Sequence, residues 1–126
     1  MVTGRQTERQ ISGAFAERQA EQLLLNAGLR LLARNHRCKQ GELDLVMRDA
    51  NTVVFVEVRY RRRDLWGDAV ETVDWRKQKR LIAAAHHYLL THPHLADHAC
   101  RFDVVAAVGD PTNPASYRWI QQAFTC

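Results

Sequence analysis

The sequence predicts a single α/β domain in which helices flank a mixed β-sheet. Hydrophobic periodicity gives the elements in the order helix, three strands, helix, strand, strand. The chain has 126 residues, of which 46% are hydrophobic, and this size and composition suit one domain that buries its own core. A helix between the third and fourth strands allows those two strands to lie parallel. We expect residues 1–10 to form a flexible N-terminus.

The first two elements follow from their spacing and from a glycine. Residues 11–27 carry apolar side chains at helical intervals, and Gly28 supplies a C-terminal stop, so they predict the first helix. The segment "LRLLARNHRC", residues 29–38, follows as the first strand.

The segment "GELDLVMRDANTVVFVEVRYR", residues 41–61, predicts a β-hairpin closed at Ala50 and Asn51. This register makes one face wholly apolar, with the pairs Met47–Val54, Leu45–Val56 and Leu43–Val58. The opposite face carries the pairs Val46–Phe55, Asp44–Glu57 and Glu42–Arg59. A slip of one residue would break the apolar face, so the hydrophobic pattern supports the pairing independently of the turn.

The second half of the chain adds a loop, a helix and two strands. Residues 59–74, "RYRRRDLWGDAVETVD", predict a polar loop broken by Gly67. A second helix begins near Asp74 and ends at Pro93. Its apolar stripe consists of Leu81, Ile82, Ala85, Tyr88 and Leu89. The segment "RFDVVAAVGD" predicts a buried strand, "PTNP" a turn, and "YRWIQQAF" a final strand.

The predicted pair of Asp44 and Glu57 requires a compensating interaction. Opposed side chains in an antiparallel pair have Cβ atoms about 5 Å apart, and like charges at that distance destabilise a sheet. Three compensations are available: a raised pKa on one carboxyl group, a cationic side chain, or a bound divalent metal.

Both helices carry polar side chains that face the hairpin. Glu17 lies at the edge of the apolar stripe of the first helix, and Lys77 and Gln78 fall on the stripe of the second. Carboxylates on Glu17, Asp44 and Glu57 would give the hard oxygen ligands that Mg²⁺ or Mn²⁺ prefers. Such a metal would neutralise the like-charge pair and activate water for attack on a phosphodiester.

A basic region adjoins these carboxylates. Residues 59–80 contain eight basic side chains against four acidic ones, with Tyr60, Trp66 and Trp75 interleaved, in a chain of net charge +4. This composition is typical of a surface that grips phosphates and stacks bases, although a solvated charged face gives the same pattern. The candidate phosphate contacts are Arg61, Arg62, Arg63, Arg76, Lys79 and Arg80.

Several other classes are disfavoured. No run of about 18 apolar residues is present and the N-terminus lacks a secretory signal, so we expect a cytoplasmic protein without a membrane partner. Cys38, Cys100 and Cys126 are widely spaced and fit reduced thiols better than disulfides. His94 and His98 suggest zinc, but no Cys or His pair precedes them at finger spacing, so surface histidines are the better interpretation.

The ordered motifs resemble those of the YraN-like family of bacterial proteins over nearly the whole chain. They are a helix with a glutamate, then "GELDLV", "FVEVRYR", "KQKR" at the start of a helix, and "RFDVVA". The family is similar to archaeal Holliday junction resolvases and to the wider restriction-endonuclease-like superfamily. The resemblance implies a restriction-endonuclease-like fold and a Mg²⁺- or Mn²⁺-dependent nuclease acting on DNA, branched or otherwise structured. It also implies a homodimer, because a four-way junction offers two symmetric cleavage points.

The superfamily motif is an Asp followed, after a strand, by Glu-x-Lys. By resemblance, Asp44 matches the aspartate, Glu57 the glutamate, Arg59 the lysine position, and Glu17 the first-helix glutamate of the resolvases. Arg59 departs from the motif, because arginine stays protonated and contributes only charge and hydrogen-bond donors. Lys77 would then supply a migrated lysine.

Other interpretations of these residues remain open. A non-catalytic nucleic-acid-binding module and an adaptor for an acidic protein partner both fit the basic region. Arg59 would alternatively pair with Glu42 and leave Glu57 as a structural acid, while Glu42 and Gln78 would otherwise support the site. Asp103, in "RFDVV", could face the site, but an edge-strand acid or a member of a local ion pair is the better interpretation.

Overall fold

The computed structural model describes residues 8–63 and 73–125. The main elements are α1 (Glu8–Asn26), β1 (Arg30–Cys38), β2 (Gly41–Asp49), β3 (Thr52–Arg61), α2 (Trp75–Thr91), β4 (Ala99–Val108) and β5 (Tyr117–Phe124). Short 3₁₀ turns span Pro93–Leu95 and Pro114–Ser116. The predicted element order, helix, three strands, helix, strand, strand, is confirmed.

The five strands form one mixed sheet in the order β1-β2-β3-β4-β5. The β3–β4 pair is parallel and the other three pairs are antiparallel. The parallel pair arises because the chain passes through α2 between β3 and β4, as predicted. Residues 59–61 belong to β3 and not to the polar loop, because Arg59, Tyr60 and Arg61 pair with β4. Residues 64–72, including Trp66 and Gly67, lie outside the described residues.

The first helix ends where the sequence predicts. Gly28 has a φ of 99°, a left-handed conformation that favours glycine, and the Leu29 N–H donates to the Leu24 carbonyl at 3.1 Å. The start differs from the expectation, because α1 already begins at Glu8. Residues 8–10 are therefore helical, and residues 1–7 lie outside the described part of the chain.

Each helix covers one face of the sheet. On one face, Ala20 and Leu24 of α1 pack against a cluster that includes Leu45, Met47 and Val56. On the opposite face, the buried side of α2 packs on a larger cluster. It contains Leu81, Ala84, Ala85 and Tyr88 of the helix with Leu43, Val46, Val53, Phe55, Phe102 and Val104 of the strands. Ile82 and Leu89, also predicted in the α2 stripe, are partly buried against this cluster.

The predicted hairpin register is confirmed as far as Leu45. The pairs Leu45–Val56, Val46–Phe55 and Met47–Val54 form as expected. Beyond Leu45 the regular pairing of β2 with β3 ends, and Oδ2 of Asp44 accepts a hydrogen bond of 2.8 Å from the Val58 N–H. The prediction that Leu43 shares a face with Leu45 is wrong, because Leu43 packs in the cluster beneath α2.

This change of face occurs in two neighbouring strands at the same level. In β1, Arg34 hydrogen-bonds to Glu21 of α1, whereas His36 contacts His87 of α2 on the opposite face. Asn35 has a φ of 50° and lies between Arg34 and His36, which pair with Leu45 and Leu43 on either side of Asp44. A left-handed residue breaks the alternation of side chains, and asparagine tolerates that conformation better than most residues. We call this feature the face reversal at Asn35 and Asp44.

The start of α2 depends on a side-chain cap. Oδ1 of Asp74 accepts a hydrogen bond of 3.0 Å from the Lys77 N–H. We expect Asp74→Ala to lower the free energy of unfolding by about 1 kcal/mol, because the first turn loses this acceptor. Asp74→Ser keeps an acceptor and should retain most of the stability. Urea denaturation of both variants tests the cap, and equal losses in the two would contradict it.

Candidate functional site

Four elements converge on a cavity of about 280 Å³ at the point where β2 and β3 separate. Glu17 comes from α1, Asp44 from β2, Glu57 from β3 and Lys77 from α2, and Arg59 also lines the cavity. Because the two helices lie on opposite faces of the sheet, a regular β2–β3 ladder would separate their side chains. The break in pairing at Asp44 opens a path between the two faces, and side chains from both reach the same cavity.

Asp44 is the centre of this group. Its carboxylate lines the same cavity as Glu17 and Glu57 and raises the pKa of both glutamates. Its Oδ2 is held by the Val58 N–H, so the backbone of β3 fixes the orientation of the side chain. The structure therefore brings together the three carboxyl groups that the sequence indicates as metal ligands.

The proximity of these acids changes their protonation. Burial raises the pKa of Glu57 to about 9, and the Asp44 carboxylate adds to the shift, while Lys77 and Arg59 oppose it. Burial likewise raises the pKa of Glu17 to about 7, with further contributions from the charges of Asp44 and Glu42. With its pKa raised to about 9, mainly by burial, Glu57 retains a proton at neutral pH in the cation-free pocket.

The donor set of the pocket fits a divalent cation. Glu57 is 4% exposed, and its buried Oε2 has no hydrogen-bond partner among the described residues. Lys77 Nζ lies 3.4 Å from this oxygen, which is an ion-pair distance. Three carboxyl groups offer only oxygen donors, the ligands that Mg²⁺ and Mn²⁺ prefer. A cation here would take the place of the proton on Glu57 and engage the buried oxygen.

Two residues predicted to support the site have other partners. The Gln78 side chain donates a hydrogen bond of 3.0 Å to the Val73 carbonyl and so stabilises the segment that leads into α2. Glu42 forms an ion pair with Arg37 of the adjacent strand β1, at 3.4 Å. Glu42 still raises the pKa of Glu17 through its charge. Of the two residues Gln78 and Glu42, therefore, only Glu42 affects the pocket, and it does so through its charge.

The basic residues fall into two groups. Arg62 and Arg63 are exposed and line a second cavity of about 400 Å³ with Ser12, Tyr60 and Gly109. Arg61 is half-buried at the end of β3. Arg76, Lys79 and Arg80 lie on α2, where Lys79 Nζ is 4.3 Å from the ring centre of Trp75. Trp75 is 67% exposed and is available for stacking.

The acidic cavity adjoins two further cavities, with which it shares lining residues. Tyr60 lines both the acidic cavity and the one at Arg62 and Arg63. Glu17 and Asp44 also line a cavity of about 550 Å³ that includes Arg18 and Arg34. Arg18 and Arg34 were not predicted from the sequence, because their proximity to the site depends on how α1 packs against β1. The cavity with the three carboxyl groups thus adjoins two cavities that contain arginines, although Arg34 is paired with Glu21 there.

Asp103 belongs to the framework of the sheet. It is fully buried and accepts hydrogen bonds from Arg101, the Trp119 side chain and the Gln122 N–H. The predicted local ion pair is confirmed, although β4 is an inner strand and not an edge strand. His94 is exposed, as expected of a surface histidine, whereas His98 is half-buried and contacts Arg48. Cys38 and Cys100 are free thiols, and Cys126 lies outside the described residues.

The fold and the pocket define a class of protein: a single α/β domain with a five-stranded mixed sheet, consistent with a nuclease-like fold. Sequence comparison then identifies the family. The profile of "Uncharacterised protein family UPF0102" matches residues 16–107, and the chain belongs to this family. The YraN-like resemblance is thereby confirmed.

The relatives match along almost their entire length. A UPF0102 protein of Stutzerimonas stutzeri (strain A1501) is 55% identical over 118 residues, which cover 94% of this chain and 98% of the relative. A UPF0102 protein of Pseudomonas syringae pv. syringae (strain B728a) is 54% identical over 116 residues, which cover 92% of this chain and 94% of the relative.

Among the described residues, no helix has the length and apolar character needed to cross a membrane.

Proposed function

We propose that the protein is a divalent-metal-dependent nuclease that hydrolyses phosphodiester bonds in DNA. The observation that carries this proposal is the convergence of Glu17, Asp44 and Glu57 on one pocket, with raised pKa values on both glutamates. Perturbed carboxyl groups in a cleft mark functional sites more often than structural ones. The arginines in the two adjoining cavities favour a polyanionic substrate.

Each residue of the pocket has a defined task. Bound Mg²⁺ or Mn²⁺ would act as a Lewis acid and lower the pKa of a water molecule. Glu17, Asp44 and Glu57 would hold the cation, and the Val58 N–H fixes the orientation of Asp44. Lys77, 3.4 Å from Glu57, places a positive charge and hydrogen-bond donors beside the reacting phosphate.

Arg59 has a different role from the lysine of the superfamily motif. Its guanidinium stays protonated at physiological pH, so it neutralises charge and donates hydrogen bonds but accepts no proton. Lys77 approaches the same glutamate from α2, so its ammonium group would supply the positive charge of a migrated motif lysine. This arrangement supports hydrolysis despite the departure at residue 59.

A cleavage assay tests the proposal. The substrates are four-way junction DNA, linear duplex, single-stranded DNA and RNA, each with Mg²⁺, Mn²⁺ or EDTA. We expect metal-dependent cleavage of DNA that EDTA abolishes, with four-way junctions preferred if the protein acts as a homodimer. If no substrate is cut with either metal, the nuclease proposal is wrong.

The second candidate is a nucleic-acid-binding module without catalysis, which Arg59 in place of the motif lysine favours. It predicts DNA binding that weakens with salt but no cleavage. An adaptor for an acidic protein partner predicts neither DNA cleavage nor tight DNA binding. Filter binding at several salt concentrations, performed beside the cleavage assay, separates these three functions.

We expect the triple variant Arg61→Ala/Arg62→Ala/Arg63→Ala to bind DNA more weakly, to a similar degree for different sequences. Arginines that neutralise phosphates release counterions from DNA. The slope of log affinity against log salt should therefore become shallower by about 0.9 for each phosphate that the variant no longer neutralises. Fluorescence anisotropy with two unrelated duplexes measures both the affinity and the slope.

The control removes charge from the other end of the hairpin. The double variant Arg30→Ala/Arg48→Ala changes two residues beside the β2–β3 turn, far along the strands from Asp44. For each charge removed, it should lose much less DNA affinity than the triple variant at residues 61–63. If both variants lose the same affinity per charge, the arginines at 61–63 do not bind phosphate specifically.

A further inference from the structure

A second cluster of metal-binding side chains lies on the face of the sheet covered by α2. It consists of His36 and Cys38 of β1 and His87 of α2. One ligand atom from each residue lies within 4.8 Å of the other two, and His36 Nε2 is 3.2 Å from His87 Nδ1. All three residues are partly buried.

Their spacing matches a tetrahedral zinc site. Zinc binds histidine nitrogen at about 2.0–2.1 Å, which places two nitrogen ligands at tetrahedral positions about 3.3–3.4 Å apart. The observed nitrogen–nitrogen distance is 3.2 Å. The Cys38 sulfur is near enough to complete the third position with a small movement of its side chain.

The surroundings hold the imidazoles in place. The ring of His36 packs edge-on against Tyr88, with ring centres 5.1 Å apart, and His92 stacks on Tyr88 with ring centres 3.9 Å apart.

We propose that His36, Cys38 and His87 bind Zn²⁺ and join β1 to α2. Three protein ligands leave one tetrahedral position for a water molecule or a fourth ligand from outside the chain. Cys38 binds as the thiolate and releases its proton to solvent. This site differs from the acidic pocket in chemistry, because nitrogen and sulfur donors select zinc whereas the carboxyl groups select Mg²⁺ or Mn²⁺.

The sequence contains a weak signal for this site. His36 and Cys38 are two residues apart in a strand, so their side chains lie on the same side. The partner His87 is far along the chain and joins them only through the packing of α2 on β1. From its sequence context alone, Cys38 therefore predicts an ordinary reduced thiol.

Cobalt absorption tests the thiolate ligand directly. Chelator-treated wild-type protein should give the intense visible bands of tetrahedral cobalt and a thiolate-to-metal charge-transfer band, and both should reach their maximum with one equivalent of Co²⁺ at this site. Zn²⁺ should displace the cobalt and remove both features. Cys38→Ser should abolish the charge-transfer band, whereas Cys100→Ser, which alters an exposed thiol on β4, should retain it.

Zinc affinity, measured by competition with a chromophoric chelator, tests the histidines. His36→Ala and His87→Ala should each bind zinc at least about tenfold more weakly, because each removes a ligand. His86→Ala is the matched control: it changes the adjacent, exposed histidine of the same helix and should bind as the wild type does. Asp44→Asn should also keep its zinc affinity, which separates this site from the acidic pocket.

Three outcomes would overturn the proposal. They are octahedral cobalt bands without charge transfer in the wild type, a charge-transfer band that survives Cys38→Ser, and equal losses of affinity in His86→Ala and His87→Ala. The wild-type spectrum requires no variant to fold, so the proposal is tested even if a substitution disrupts the protein.

Discussion

Asp44→Asn is expected to abolish the response of the protein to Mg²⁺ or Mn²⁺ while leaving the metal-free fold at least as stable as the wild type. The substitution removes one negative charge from the point where Glu17 and Glu57 meet. Asparagine Oδ1 can still accept the hydrogen bond that the Val58 N–H donates to Asp44. The repulsion therefore decreases while the local backbone keeps its partner.

Thermal melts with and without metal measure both parts of this expectation. A cation that binds only the folded state at 100 times its dissociation constant stabilises the wild type by about 2.7 kcal/mol, and the variant should lose this increment. Metal-dependent DNA cleavage should fall at least about 100-fold, since the pocket then lacks a ligand that positions the charge.

Asp49→Asn is the matched control for this experiment. Asp49 lies at the other end of β2 and forms an ion pair with Arg101 at 3.1 Å, away from the acidic pocket. The control should keep the metal response and the cleavage. The metal-site interpretation would be rejected if Asp44→Asn clearly destabilised the metal-free protein while the wild type showed no response to metal. A cationic side chain would then be the partner of Asp44.

The second expectation is that the metal-free protein loses stability as the pH rises from about 4.5 to about 9. In the unfolded chain both glutamates titrate near 4.5, whereas folding raises the pKa of Glu17 to about 7 and that of Glu57 to about 9. Below pH 4.5 both glutamates are protonated in the folded and the unfolded state, and their full contribution to stability is present. Above pH 4.5 the folded state binds more protons than the unfolded state. The free energy of unfolding therefore decreases with pH until the pH exceeds the folded-state pKa of each glutamate.

Urea denaturation across this pH range tests the expectation, with Glu57→Gln as the comparison. The histidines titrate in the same window, so the informative quantity is the difference between the wild type and the variant. Glu57→Gln should lose less stability as the pH rises, and the difference should continue to grow above pH 7, where Glu17 has already ionised. Saturating Mg²⁺ should reduce the decline in the wild type, because the cation replaces the protons. Parallel curves for the two proteins would show that Glu57 ionises normally.

The sequence was sufficient for the element order and for the half of the hairpin nearest its turn. The turn at Ala50 and Asn51, together with the apolar pairs Leu45–Val56 and Met47–Val54, fixes the pairing from Asp49 back to Leu45. The prediction failed at Leu43, because alternation there is interrupted by a backbone conformation. Nothing in the composition of β2 marks that interruption, and the left-handed residue that accompanies it lies in the neighbouring strand, at Asn35.

The candidate site was predictable to the extent that it depends on local geometry. Asp44 and Glu57 are close because the hairpin brings them together, and Glu17 and Lys77 were selected from their positions on helical wheels. Gln78 was selected in the same way but bonds to the Val73 carbonyl, because a helix start offers backbone partners that a wheel does not represent. The His36–His87 contact depends on tertiary packing alone, and no local pattern contains it.

The face reversal at Asn35 and Asp44 couples the geometry of the acidic pocket to that of the His36–His87 contact, although the two share no residue. The same interruption directs Asp44 into the acidic pocket and turns His36 towards His87 on the other side of the sheet. A β-branched residue at position 35 would disfavour the left-handed conformation there. Such a substitution would therefore disturb the acidic pocket and the His36–His87 contact together. The geometries of the acidic pocket and of the His36–His87 contact are therefore coupled through the backbone of β1 and β2.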